Sequence, residues 1–237
     1  LISAIWAKVG KAEVVKVDND ENIADGLDLA FLNELPNELG PLYVEMATAS
    51  AAQALHQVSA VAKVRGNLAD LLKQSDKKAI AWAENKAASM VGKKWIDGEL
   101  VNNPDSKWVI EDSTRDMLRG KINQALKEGW SKDKLAKRIT GDVIGKDRAD
   151  LIAQTELGFA HSAGNQIGWA TSGRIKGRYS ILSADHEIED VCDDNAAAGV
   201  IPMDEPYPSG DEGYPFHPGC FCVEVAVLDD SALEEAA

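Results

Sequence analysis

The chain has little that an oxidising compartment or a membrane would demand. It holds three cysteines. Three cannot make a disulfide framework, and an odd count leaves one thiol over, which points to assembly in a reducing compartment. No apolar run approaches the ~18 residues that a membrane span needs, so no membrane partner is expected. The opening stretch "LISAIWAKVG" has no charged region ahead of its short apolar run, so no signal peptide is expected. A start at Leu1 rather than Met leaves room for sequence upstream. Aromatic residues make up only 6% of the chain, while alanine is abundant, and that composition leans helical. No G-x-G-x-x-G, Walker loop, G-x-S-x-G or H-E-x-x-H is present, which removes the commonest nucleotide-binding and hydrolase signatures. Lysine and arginine are missing altogether beyond Arg178.

What is there is enough for one sizeable core, or one core with a smaller subdomain: 237 residues, 45% of them apolar. The net charge of −14 is concentrated at the end, where residues 185–237 carry fifteen acids. Residues 113–148 are basic instead, with ten bases against five acids. An acidic end does not favour DNA phosphate. It suits a basic protein partner, a cation or solubility.

Periodicity divides the chain into an N-terminal arm (1–41), a helical body (42–172) and an acidic C-terminal α+β module (173–237). The arm is broken by Pro36, Gly40 and Pro41, with a short helix near Asp25–Leu35. Helices are expected from Leu42 to about Val64, and from about Asp76 to Val91 with Ile80, Ala83, Ala87 and Met90 on one face. A small β excursion is expected near 93–110, turning at Asp97-Gly98 and again at Asn103-Pro104-Asp105. Trp95 and Trp108 read as its packing anchors. Ser113-x-x-Asp116 reads as a helix-start box for a helix running to Gly129. Ser131 caps a short helix carrying Leu135 and Ile139, and a long helix runs from about Asp147 to Thr171 and stops at Gly173. "RIKGRYSIL" and "CVEVAVL" read as strands. The class is α+β, a mainly helical body with a small C-terminal α+β module.

In the long helix, Glu156 shares the apolar stripe of Ile152, Phe159, Ala163 and Ile167. A carboxylate there must be paired or hydrogen-bonded. Glu156, with Asp185 in the terminal module, reads as a structural polar anchor rather than a catalytic acid, and no catalytic residue is assigned. His161 and Asn165 are i, i+4 neighbours on another face. The terminal module gathers Asp185, His186, Asp190, Cys192, Asp193, Asn195, His217, Cys220 and Cys222. In an extended "HPGCFC", Cys220 and Cys222 point the same way. With Cys192 and His217 they have the number and kinds of ligand for Zn2+. The same residues also suit a packed reduced thiol cluster, or a disulfide from Cys192 to one partner. An HNH nuclease reading of His186, Asn195 and His217 fails on spacing. An ADP-ribosyltransferase reading of Arg178, Ser183, Glu187 and Glu189 crowds its residues too tightly.

The order of "QTELGFAHSAGNQIG", a strand, "VCDDNAAAG" and "HPGCFCVEVAV" resembles the Mu F-like minor head proteins of tailed phages, and the likeness extends upstream to cover about residues 80–228. The resemblance implies a structural, low-copy virion component. It would be assembled in the host cytoplasm, sit in the head near the portal vertex, and bind the portal and major capsid proteins. The basic stretch 113–148 could meet an acidic portal or capsid surface, and the protein could lie close to packaged DNA. Three departures stand out. Gln154 replaces the family's arginine before Thr155-Glu156, Asn195 replaces the second cysteine of a C-x-x-C, and Phe221 replaces the arginine between the last two cysteines. Against this structural reading stand a metal-dependent hydrolase used in entry, acting on nucleic acid or peptidoglycan, and a plain adaptor outside any virion.

Overall fold

The computed structural model describes residues 35–231, apart from 98, 108, 130, 132, 133, 135, 136, 139, 140, 143 and 144. The arm's expected helix, Trp108, Leu135 and Ile139 lie outside the described residues. The chain is an α+β protein with a helical body and two small sheets. Its contacts form two compact units, each made of two separate stretches. The grouping cuts across the consecutive segments that composition suggests. One unit comprises Leu1–Pro41 and Asn85–Ala153, the other Leu42–Glu84 and Gln154–Ala237. No helix among the described residues is long and apolar enough to cross a membrane.

Helix α1 spans Leu35–Val61 and therefore starts before Pro41, which sits inside it. Proline has no N–H to give the preceding turn, and the alanine-rich run that follows carries the helix through. Helix α2 spans Leu68–Ser89, eight residues earlier than expected. Asn67 explains the start, because its Oδ1 accepts from the N–H groups of Ala69 (2.9 Å) and Asp70 (3.3 Å). The buried stripe of α2 runs through Ala79, Ala83 and Ala87, while Ile80 is exposed.

In the first unit, β1 (Lys93–Ile96) and β2 (Glu99–Asn102) form the expected antiparallel hairpin, and Asp97 at φ 50° makes its turn. Trp95 pairs with Leu100, and both are exposed, so Trp95 is not a packing anchor. Helix α3 spans Ile110–Glu128. It starts ahead of the Ser113 box, without a side-chain cap on Val109, because Ile110 is buried and its N–H donates to the Met90 carbonyl (3.2 Å). Ser113 Oγ donates back to the Ile110 carbonyl (3.0 Å) instead of capping. Gly129 ends the helix at φ 65°. Within the basic stretch, Arg148 donates to Ser113 and Thr114 (both 3.1 Å), and Lys121 pairs with Asp142 (2.6 Å).

Helix α4 (Lys146–Ser172), most of which belongs to the second unit, ends at Gly173, as expected. Gly164 and Gly168 on α4 face Ala47, Ser50, Ala51 and Ala54 of α1. A Cβ on Gly164 would lie 2.5 Å from the Ala47 carbonyl oxygen, so the two backbones approach more closely than larger residues permit. Strand β3 (Ile175–Ile181) is central, flanked by β4 (Ile201–Pro202) and β5 (Val223–Leu228), all antiparallel. The short helix α5 (Val191–Ala197) precedes β4. One apolar cluster joins Ala54, Val58 and Trp169 to Ile175, Ala226 and Leu228. Another joins the three cysteines to Tyr207, Tyr214 and Phe216.

Candidate functional site

Strand alternation turns Arg178 and Ser180 of β3 inward, with Glu224 and Ala226 of β5. Arg178 pairs in register with Ala226, so Glu224 is its diagonal neighbour. Their side chains are 2% and 0% exposed, a burial that ionised groups reach only when paired and hydrogen-bonded. Arg178 Nε donates to Glu224 Oε1 (3.0 Å). Nη1 donates to the carbonyls of Pro202 (2.9 Å) and Met203 (3.0 Å), and Nη2 to those of Glu205 (3.0 Å) and Glu212 (2.6 Å). Five donated bonds equal the five N–H groups a guanidinium owns. Its carbon also lies 5.1 Å from the centre of the Tyr207 ring. Glu224 Oε2 accepts from Ser162 (2.6 Å) and Gln166 (3.0 Å). This hub locks the loops between β4 and β5 onto the sheet. Its long sequence separation hides it from any reading of short motifs.

Glu156 is buried and accepts from the Tyr43 hydroxyl at 2.7 Å. Burial and the Glu156 charge push the Tyr43 hydroxyl well above its ordinary pKa, so it stays a donor. Asp185 is exposed, with its backbone N–H on Ser183 Oγ (3.2 Å). The buried carboxylate of this module is Glu224. His161 and Asn165 do meet (3.5 Å), and His161 Nδ1 also bonds the Tyr214 hydroxyl. Burial lowers the His161 pKa. These two residues line an open groove of about 540 Å³, together with Gln53, Gln57, Trp169 and Glu224. Its one carboxylate is already held by Arg178, Ser162 and Gln166.

The cysteine cluster is assembled from two sides. On one, Asp190 caps α5: its Oδ1 accepts from the Cys192 N–H (2.8 Å), while Asp193 Oδ2 accepts from the Asp190 N–H (2.8 Å). The capping box fixes Cys192 in the first turn, where it is fully buried. On the other, Pro218 and Gly219 (φ 78°) turn the chain, and the Cys220 N–H returns to the His217 carbonyl (3.1 Å). Thr155 of α4 accepts from the Gly219 N–H (3.0 Å) and tethers that turn.

Cys192 Sγ and Cys220 Sγ come within 3.6 Å. All three cysteines are buried free thiols, so no disulfide joins Cys192 to a partner. Burial raises the pKa of Cys192 and Cys222, which keeps them protonated and poor nucleophiles. No family model, curated protein or solved structure matches the chain. What the cluster can do is therefore argued from its own chemistry.

Single ligand atoms from Cys192, His217 and Cys220 all lie within 4.8 Å of one another. The same holds for His186, Cys192 and Cys222. The four residues expected to converge thus fall into two overlapping groups that share Cys192, with His186 as an addition. Asn195 is buried and clasps Ser209 through its amide nitrogen (2.9 Å) and oxygen (3.1 Å). His186 Nε2 donates to Asp193 (2.9 Å), which raises its pKa. His217 Nδ1 donates to the Pro218 carbonyl (3.0 Å). That bond places the ring proton on Nδ1. Nε2 is buried and makes no hydrogen bond, although it lies 3.2 Å from Asp190 Oδ2. The distance admits attraction, but the alignment is not that of a hydrogen bond. Buried thiols beside an imidazole nitrogen held this way fit the donor set of a soft divalent ion.

Proposed function

We propose that the chain is a structural, non-catalytic minor head protein of a tailed phage, acting at the portal vertex during head assembly through contacts with the portal and major capsid proteins. The observation that carries this reading is the ordered motif series in residues 154–228, which resembles the Mu F-like proteins. In support, its conspicuous polar residues serve the fold. Glu156 is held by Tyr43, Glu224 by Arg178, and Asn195 by Ser209. An acid or base for catalysis would instead need reach to a substrate. The fifteen acids of residues 185–237, with no lysine or arginine among them, suit a basic face on a protein partner and repel packaged DNA.

Mass spectrometry of purified particles from the strain that carries the gene tests the reading. The chain is expected at low copy, in the head fraction that retains portal. Particles without it would refute the proposal. The alternative, a metal-dependent hydrolase used in entry, draws on ligand atoms of His186, Asp190 and Asp193 within 4.8 Å of one another. Turnover of DNA or cell wall with Mg2+, Mn2+ or Zn2+, lost in His186→Ala, would favour it.

A further inference from the structure

We propose that Cys192, Cys220, Cys222 and His217 hold one Zn2+ ion that ties the first turn of α5 to the turn leading into β5. The inference stands on the geometry of the cluster and does not depend on a place in a virion. Three sulfurs and one imidazole make a closed tetrahedral donor set of the structural kind. With Zn–S bonds of about 2.3 Å, a tetrahedron has S···S edges of roughly 3.8 Å. The 3.6 Å between Cys192 and Cys220 already matches that edge within a few tenths of an ångström. Cys222 is 2% exposed and grouped with Cys192 and His186 rather than with Cys220 and His217, so the proposal requires its sulfur to swing toward Cys220 as the ion binds.

The histidine decides between a metal and mere thiol packing. A ligating imidazole characteristically gives its other N–H to a carbonyl or carboxylate, which fixes the tautomer and aims the lone pair. His217 does this through the Pro218 carbonyl; its ring is grouped with Cys192 and Cys220, and its Nε2 is buried without a hydrogen bond, 3.2 Å from Asp190 Oδ2. With the ring proton on Nδ1, the Nε2 lone pair sits beside the Asp190 carboxylate without a hydrogen bond, an arrangement that a bound cation would relieve. His186 is different, because its Nε2 already belongs to the α5 capping box through Asp193. It acts as a positioning residue for that cap, outside the ligand set. Soft thiolates favour Zn2+ over Mg2+ or Ca2+.

The test uses the chain purified under reductant, stripped with a chelator and titrated with Co2+ as a spectroscopic stand-in, then with Zn2+. The expected result is thiolate-to-cobalt charge transfer with tetrahedral d–d bands, saturating at one equivalent and displaced by one equivalent of Zn2+. The Zn2+-loaded chain should also protect all three thiols from alkylation. His217→Ala should lose the tetrahedral spectrum, while His186→Ala should keep it. No tetrahedral bands in the unaltered chain would overturn the assignment. So would binding that survives His217→Ala and vanishes in His186→Ala. The unaltered chain carries the first readout, so the proposal can fail even where a variant does not fold.

Discussion

The second unit contains two buried polar centres that are built in opposite ways. Around Arg178, five N–H groups meet five acceptors, and the partner carboxylate receives two further donors. Around Cys192, two thiols sit 3.6 Å apart, grouped with His217, whose buried Nε2 lies near Asp190 but makes no hydrogen bond. The first centre closes on protein atoms alone, as a buried ion must to offset its desolvation. The second has the donor types of a metal site, and on our proposal an ion closes it. The lesson is to count partners before assigning a role. A charge whose every donor is matched is architecture, and a buried nitrogen without a hydrogen bond is where the proposed ligand is to be tested.

The largest effect should come from breaking the complete centre on one side. Arg178→Met leaves Glu224 charged and buried, and should cost about 3–5 kcal/mol in urea unfolding. Arg178→Met with Glu224→Leu should recover a good part of that loss, since no lone buried charge remains. An equal loss in the double variant would show that the backbone carbonyls, rather than the ion pair, depend on Arg178.

Next in size is the ion itself. A hundredfold excess of Zn2+ over its dissociation constant should stabilise the chain by about 2.7 kcal/mol. A chelator should remove that gain in thermal unfolding, and Arg178→Met should leave the increment unchanged. Smaller again is Asp190→Ala, which removes the α5 cap and should cost about 1 kcal/mol. That variant should still bind one Zn2+ if the proposal holds, because Asp190 lies outside the proposed ligand set.

The smallest effect belongs to the first unit, where Lys121 hydrogen-bonds Asp142 and holds its carboxyl below the ordinary range. A depressed carboxyl contributes stability above its unfolded pKa and loses it as pH falls through the folded one. Acid unfolding of Lys121→Met should therefore begin at slightly higher pH than in the unaltered chain. Superimposable acid curves would show that solvent screens the pair completely.

Much of the fold was legible because its signals are local. Gly173 marked the end of α4, Asp97-Gly98 marked the hairpin, "RIKGRYSIL" marked β3, and alternation marked β5. The failures were also local signals, outvoted by context. Pro41 did not mark the start of α1, which begins earlier at Leu35, and Ser113 did not start α3, because the burial of Ile110 moved that start upstream. In the site, "HPGCFC" and Cys192 were visible as candidates. Their division into two groups around Cys192, and the entry of His186, needed the turn at Pro218 and the cap at Asp190. Arg178 and Glu224 lie 46 residues apart, and Tyr43 and Glu156 lie 113 apart. No periodicity connects such pairs. Only the packing of β3 on β5, and the close approach of α1 to α4, brings them together.

The most direct test of the contrast between the two centres is native mass spectrometry of the unaltered chain, purified under reductant and without chelator. The account predicts a mass increased by one zinc ion per chain, less the protons displaced from three thiols, with the increment lost under denaturing conditions. A chain that carries the bare polypeptide mass, even after incubation with Zn2+, would contradict it.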